Sequence, residues 1–207
     1  MSSYIKKTSK NEKSIDIVKQ ELMAITTFNP DYADDDVSKY SVFRDSKKKL
    51  YVPRNYTNDN VKIKHKFTEG KIVEFDFLKT LRDEQIKIAN TCIDKIKKEN
   101  GGIITLPCGF GKTVIALYIA SQLKIKTLIV VHKTFLQDQW FERIKEFTTA
   151  STGMIRCNKV EVVNKDIVIG MLQSISKIKY DKKIFKEFGL VIYDESHHMI
   201  SNVFSNA

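Results

Sequence analysis

The sequence predicts an α/β fold built on a parallel sheet and preceded by a small α+β module. Three observations lead there. Short, mainly apolar runs at 127–131, 166–170 and 189–193 alternate with stretches of helical periodicity, as strands buried on both faces do. A glycine-rich turn, Cys108-Gly109-Phe110-Gly111, separates another apolar run, 102–106, from a helical stretch that opens at Lys112-Thr113. The last run, Leu190-Val191-Ile192-Tyr193, leads directly into Asp194-Glu195.

The elements follow in order. Residues 1–13 are polar and lysine-rich and read as a disordered tail. From Ser14, placed as an N-cap, Ile15, Val18, Leu22 and Ile25 keep helical spacing until Phe28-Asn29-Pro30. The acidic stretch 31–36 reads as a loop, because its spacing matches no calcium-binding loop. Residues 41–43 and 49–52 read as short strands, with turns at Pro53 and 55–60. At 61–66 the order Val, Lys, Ile, Lys, His, Lys gives one apolar and one cationic face. The cationic face reads either as an edge strand guarded by lysines or as a surface laid on phosphate. The chain thus divides into a tail (1–13), an accessory module (14–77) and a parallel-sheet domain (78–207).

In that domain a helix is predicted from Asp83 to Asn100, with Ile86, Ala89, Ile93 and Ile96 on one face and Gly101-Gly102 stopping it. Strands are predicted at 102–106, 127–131, 160–163, 166–170 and 189–193, and helices near 112–123, 134–147 and 182–187. Trp140, the single tryptophan, shares its helix with Phe135, Leu136, Phe141, Ile144 and Phe147 and reads as core.

Composition sets bounds. With 207 residues, 42% hydrophobic and 29% charged, the chain supports one domain with a small extension and a sizeable core. No run approaches the ~18 apolar residues of a membrane helix, and the polar N-terminus is no signal peptide, so no membrane partner is expected. Cys92, Cys108 and Cys157 form neither a zinc pattern nor a disulfide framework, which points to an intracellular, reducing compartment. The net charge of +10 suits a polyanionic partner, although lysine-rich usage also fits an AT-rich coding genome.

The chemistry lies at two places. In Pro107-Cys108-Gly109-Phe110-Gly111-Lys112-Thr113, glycines at 109 and 111 let backbone N–H groups turn inward on an anion. The helix starting near Lys112 adds the positive end of its dipole. Lys112 would reach the β- and γ-phosphates of a nucleotide, and the Thr113 hydroxyl would ligate Mg2+. Asp194 would complete the Mg2+ shell, and Glu195 would deprotonate an attacking water. Both motifs follow strands of the parallel type, and open α/β sheets bind ligands at the carboxyl ends of such strands. Together they read as a nucleoside triphosphatase site. Leu106 stands where the general phosphate-loop pattern has its first glycine.

Asp194-Glu195-Ser196-His197 resembles the Asp-Glu-x-His motif of superfamily 2 helicases, and 107–113 resembles their first motif, in which that early glycine is commonly absent. Leu81-Arg82-Asp83-Glu84-Gln85 resembles their adenine-recognising segment. Residues 127–140 resemble motif Ia and its helix, with His132 where relatives often carry proline, and 166–174 resemble a segment that touches nucleic-acid backbone. The pattern is most similar to the group of type III restriction subunits, UvrB and transcription-repair helicases. Tyr51-Val52-Pro53-Arg54 further resembles helicases of large DNA viruses, including the poxvirus transcript-release branch. The motif resemblance covers 78–207. It implies a RecA-like P-loop NTPase domain that is incomplete at its C-terminal end, with ATP and Mg2+ as cofactors. Arg82 and Gln85 would then contact adenine, and 107–113 the phosphates. Lys133, Thr134, Gln173 and Ser174 would touch nucleic-acid phosphates, the other reading of these four being ordinary helix capping. His197 would couple the site to a second RecA-like domain or protein that supplies the remaining motifs. The expected function is an ATP-dependent nucleic-acid helicase or translocase, weakly active or inactive by itself, with DNA favoured over RNA. The rival is a non-catalytic nucleic-acid-binding or docking protein derived from a shortened or split helicase.

Overall fold

The computed structural model describes residues 2–25, 39–53, 56–66 and 68–196. The chain forms two compact units, residues 1–67 and 68–207. No helix among the described residues is long and apolar enough to cross a membrane.

The first unit contains strand β1 (Ser2–Lys6), helix α1 (Glu12–Glu21), and strands β2 (Met23–Ile25), β3 (Lys39–Ser41), β4 (Arg44–Asp45), β5 (Lys49–Val52) and β6 (Ile63–Lys66). Four of the strands make an antiparallel sheet in the order β4-β5-β1-β6. Residues expected to be a disordered tail therefore supply a central strand, with Ser3 opposite both Val52 and His65. The run is too short to register as a pattern by itself, and its partners lie far along the chain. Ile5, Leu50 and Val52 point inward onto Ile15, Val18 and Leu22. The helix opens two residues before Ser14. Asn11 shapes its entry instead: its Oδ1 accepts from the Thr8 N–H (2.9 Å) and its Nδ2 donates to the Lys6 carbonyl (2.8 Å). Ile25 leaves the helix for β2, which pairs with β3. The acidic stretch 31–36 lies outside the described residues.

The second unit holds helices α2 (Asp83–Glu99), α3 (Lys112–Leu123), α4 (Thr134–Phe147) and α5 (Leu172–Lys177), and a 3-10 turn at Ile184–Glu187. Its strands are β7 (Thr127–Val131), β8 (Thr152–Arg156), β9 (Lys159–Val160), β10 (Ile167–Met171) and β11 (Leu190–Tyr193). They form one sheet in the order β11-β7-β10-β8-β9, parallel except for the β8–β9 hairpin. Every residue of β7 and β10 is buried. Ile129, Val131, Ile167 and Ile169 face α3 and α4 through Leu117, Ala120, Trp140 and Ile144. Leu128, Val130 and Val168 face Leu172 and Phe188 on the other side. Cover on both faces explains why these strands are solid apolar runs.

Three expected elements change. Residues 102–106 make no ladder, although they lead into the glycine turn as expected. The expected strand 160–163 is cut to β9, antiparallel to β8, a strand that its mixed sequence Thr-Gly-Met-Ile-Arg concealed. The helix expected at 182–187 is a single 3-10 turn. Asn100, in the left-handed conformation at φ 58°, ends α2 before the glycines are reached. Residues 68–77, read as accessory, pack with the second unit. The Lys71 N–H donates to the Glu187 carbonyl (2.7 Å) and the Val73 N–H to the Lys124 carbonyl (3.0 Å), while Val73 and Phe75 enter the core. That docking requires Gly70, at φ +80°, where a Cβ would lie 2.3 Å from the Gly189 nitrogen.

Candidate nucleotide site

The glycine turn precedes α3 in the way its sequence demands. Gly109 and Gly111 have φ of +76° and +95°, a region that L side chains rarely adopt. Gly111 is the N-cap of α3, so the free N–H groups of the first helical turn lie beside Lys112 and Thr113. A Cβ on Gly111 would sit 2.6 Å from Gln85 Nε2. This close approach has a purpose: Gln85 Nε2 and Arg82 Nη2 each donate to the Phe110 carbonyl at 2.8 Å. The Gln85 side-chain oxygen in turn accepts from the Arg82 N–H (3.1 Å), so the buried amide is spent on holding the loop against the start of α2. The Arg82 guanidinium also lies 5.5 Å from the centre of the Phe110 ring. Lys112 Nζ donates back to the carbonyls of Leu106 (2.9 Å) and Pro107 (3.3 Å), the same short loop. Thus two cations and one amide converge on 106–110. Cys108 is exposed there.

The acidic motif sits at the carboxyl end of the sheet. The Asp194 N–H donates to the Val130 carbonyl (3.0 Å), which carries the β7–β11 ladder one residue past Tyr193. Asp194 Oδ2 accepts from Trp140 Nε1 at 2.8 Å. Sequence reasoning assigned Trp140 to the core, and at 3% exposure it is core. Its second job, fixing Asp194, was missed, although a buried indole N–H must find an acceptor. With Oδ2 so engaged, Oδ1 is the oxygen that offers a metal ligand. Glu195 follows in the left-handed region at φ +54°, which turns the chain sharply away from the strand. Oxygen donors such as the Thr113 hydroxyl and the Asp194 carboxylate are the hard ligands that suit Mg2+. His197 lies outside the described residues.

The four expected backbone-contact residues separate. Lys133 caps α4 and Thr134 begins it; both are exposed directly after β7, with Lys133 Nζ 5.8 Å from the centre of the half-exposed Phe135 ring. Gln173 and Ser174 do not present their polar groups outward in the same way. Gln173 Nε2 donates to the His132 carbonyl (2.6 Å), and buried Ser174 accepts from the Cys157 N–H (3.0 Å). They lie in α5, which begins directly at the end of β10, so their side chains tie that helix to the neighbouring strand ends. No local pattern marks this short helix in the sequence.

The model of the family "Type III restriction enzyme, res subunit" matches residues 78–207. The chain is 40% identical over 137 residues to a protein of Acanthamoeba polyphaga mimivirus described as an ATP-dependent RNA helicase, covering 66% of this chain and 26% of that one. It is 36% identical over 131 residues to the DNA 3'-5' translocase XPB2 of Sulfurisphaera tokodaii, covering 60% and 27%. A protein of Invertebrate iridescent virus 6 described as a helicase is 31% identical over 158 residues, covering 71% and 34%. The chain therefore spans about a quarter to a third of the length of these relatives. The Sulfolobus solfataricus SWI2/SNF2 ATPase core, solved in complex with dsDNA, superposes with a TM-score of 0.52 at 17% identity over 68% of this chain and 31% of its own. That superposition supports a RecA-like fold for the second unit. On the match over 78–207, the chain belongs to the type III restriction enzyme Res-subunit family of superfamily 2 helicases.

Proposed function

We propose that residues 78–207 bind Mg-ATP as the first motor domain of a nucleic-acid translocase. The observation that carries this is the convergence of Lys112, Arg82 and Gln85 on the loop 106–110, directly before the N-terminus of α3. Lys112 would leave its loop carbonyls for the β- and γ-phosphates, and the N–H groups at the start of α3 would receive phosphate oxygens. Gln85 would turn its amide to the adenine edge, with Arg82 beside it. Thr113 and Asp194 would hold Mg2+, which when bound neutralises the charge that builds on the phosphates. Trp140 keeps the Asp194 carboxylate oriented, and Glu195 takes the proton from the attacking water. Lys133 and Thr134 would contact nucleic-acid phosphates without reading sequence, with DNA favoured over RNA as the polymer.

Efficient hydrolysis in this reading needs an arginine finger from a second RecA-like domain, worth about 10³–10⁵ in turnover. The 207 residues alone should therefore bind Mg-ATP and hydrolyse it slowly, with no unwinding. Steady-state ATP turnover with and without duplex DNA and single-stranded RNA tests this. Slow turnover that rises when the second domain is supplied supports the reading. Fast, nucleic-acid-stimulated turnover by this chain alone would contradict the need for the second domain.

A further inference from the structure

We propose that the outward face of the four-stranded sheet in the first unit is a binding platform for single-stranded nucleic acid. Strand register builds this face. Arg44 stands opposite Tyr51, Tyr51 opposite Tyr4, and Tyr4 opposite Lys64, so one row crosses all four strands as Arg-Tyr-Tyr-Lys. One step along, Lys6 stands directly opposite Lys49. The two tyrosine rings are 6.1 Å apart and tilted by 55°, with Lys49 Nζ 4.0 Å from the centre of the Tyr4 ring and Arg44 5.7 Å from that of Tyr51. Lys6, Arg44 and Lys64 are exposed, and both tyrosines are part-exposed.

The four strands keep their one acid off this face. Asp45, the one carboxylate in these four strands, is opposite Leu50 and so lies on the core side, where Lys7 and Lys19 pair with it. Protection of sheet edges by lysine accounts for Arg44 and Lys64 on the outer strands. It cannot account for Lys6 and Lys49, which face each other on the two central strands. Like charges placed directly opposite destabilise a sheet, so this pair weakens the fold unless an anion lies across it. Two adjacent aromatic rings flanked by cations, on a sheet face where none of the four strands places a carboxylate, match what a single strand offers: unstacked bases for the rings and phosphates for the ammonium and guanidinium groups. A duplex hides its base faces and would use only the charges. The platform does not depend on the nucleotide site and is testable with no ATP present.

The test uses the full chain and labelled 12-mer oligo-dT, oligo-rU and duplex DNA, read by fluorescence anisotropy. Stacking predicts that Tyr4→Ala and Tyr51→Ala each weaken single-strand binding about tenfold, while Tyr4→Phe and Tyr51→Phe keep it within about twofold. Lys6→Ala should flatten the dependence of log affinity on log salt by about 0.7. As nothing in the stacking or charge depends on a 2′-hydroxyl, oligo-dT and oligo-rU should bind alike. Photocrosslinking of iodouracil-substituted oligonucleotide to the unaltered protein should mark Tyr4 or Tyr51, and it decides the matter even if the alanine variants fail to fold. Folded alanine variants with undiminished affinity would overturn the platform. So would crosslinks confined to the second unit, or a preference for duplex.

Discussion

The two larger sheets of this protein treat their faces in opposite ways. In the parallel sheet β7 and β10 are buried along their whole length, sealed by α3 and α4 on one side and by Leu172 and Phe188 on the other. Chemistry can then appear only at the strand ends, and Asp194, Lys133 and the start of α5 are all found there. In the antiparallel sheet, β5 alternates between buried and part-exposed residues, so one face makes a core and the other stays in contact with solvent. Topology thus decides where a polar side chain can act: at an end in one unit, across a face in the other.

The largest effect that sharpens this contrast is on stability. Ile169, fully buried within β10, should cost about 2–5 kcal/mol when cut to alanine, whereas Tyr51→Ala on the open face should cost less than about 1 kcal/mol. Chemical denaturation followed by circular dichroism reads both, and equal losses would break the comparison. Next is Lys126, 1% exposed at the start of β7, whose ammonium donates to the Val162 carbonyl (2.7 Å) and to Glu187 (2.5 Å). Lys126→Ala should cost about 1.5–3 kcal/mol, the worth of a charged hydrogen bond. A loss within error of zero in the same denaturation experiment would show the pair to be idle.

Smaller still, Trp140→Phe keeps the ring packing but frees the Asp194 carboxylate. Losing such an orienting bond typically weakens metal binding 10–100-fold, so Mg2+-dependent ATP affinity should fall by about that much, as read by calorimetry. The smallest effect is one of pH. The Lys126 ammonium beside Glu187 holds its carboxyl below the ordinary value of 4.5. The carboxylate therefore adds stability that is present above that value and is lost as pH falls through the lowered one. With Glu187 at 45% side-chain exposure the gain is less than about 1 kcal/mol, and Glu187→Gln should flatten the acid limb of a melting-temperature profile.

The same contrast explains what could be read from the sequence. Solid apolar runs announced β7, β10 and β11, and Gly-x-Gly-Lys-Thr before a helix announced the loop, because local chemistry fixes each of them. Strand β1 escaped because Ser3 and Ile5 mean little until Leu50 and Val52 are beside them. Strand β8 escaped because Gly153 interrupts it, packed so tightly that a Cβ would lie 2.0 Å from the Glu161 carbonyl oxygen. The internal ties of Gln173 and Ser174 escaped because their partners, the His132 carbonyl and the Cys157 N–H, belong to other strand ends. Within the candidate site, residue types were legible, but the Phe110 carbonyl that collects Arg82 and Gln85 was not, since backbone acceptors leave no mark in a sequence.

In the proposed function the glycine loop and Asp194 serve one nucleotide. The single tryptophan, Trp140, touches Asp194 and so reports on that site directly. Titrating Mg-ATP while following tryptophan emission should give a saturable change that Lys112→Ala abolishes. Emission that stays unchanged to millimolar Mg-ATP, or changes identically in Lys112→Ala, would contradict the claim.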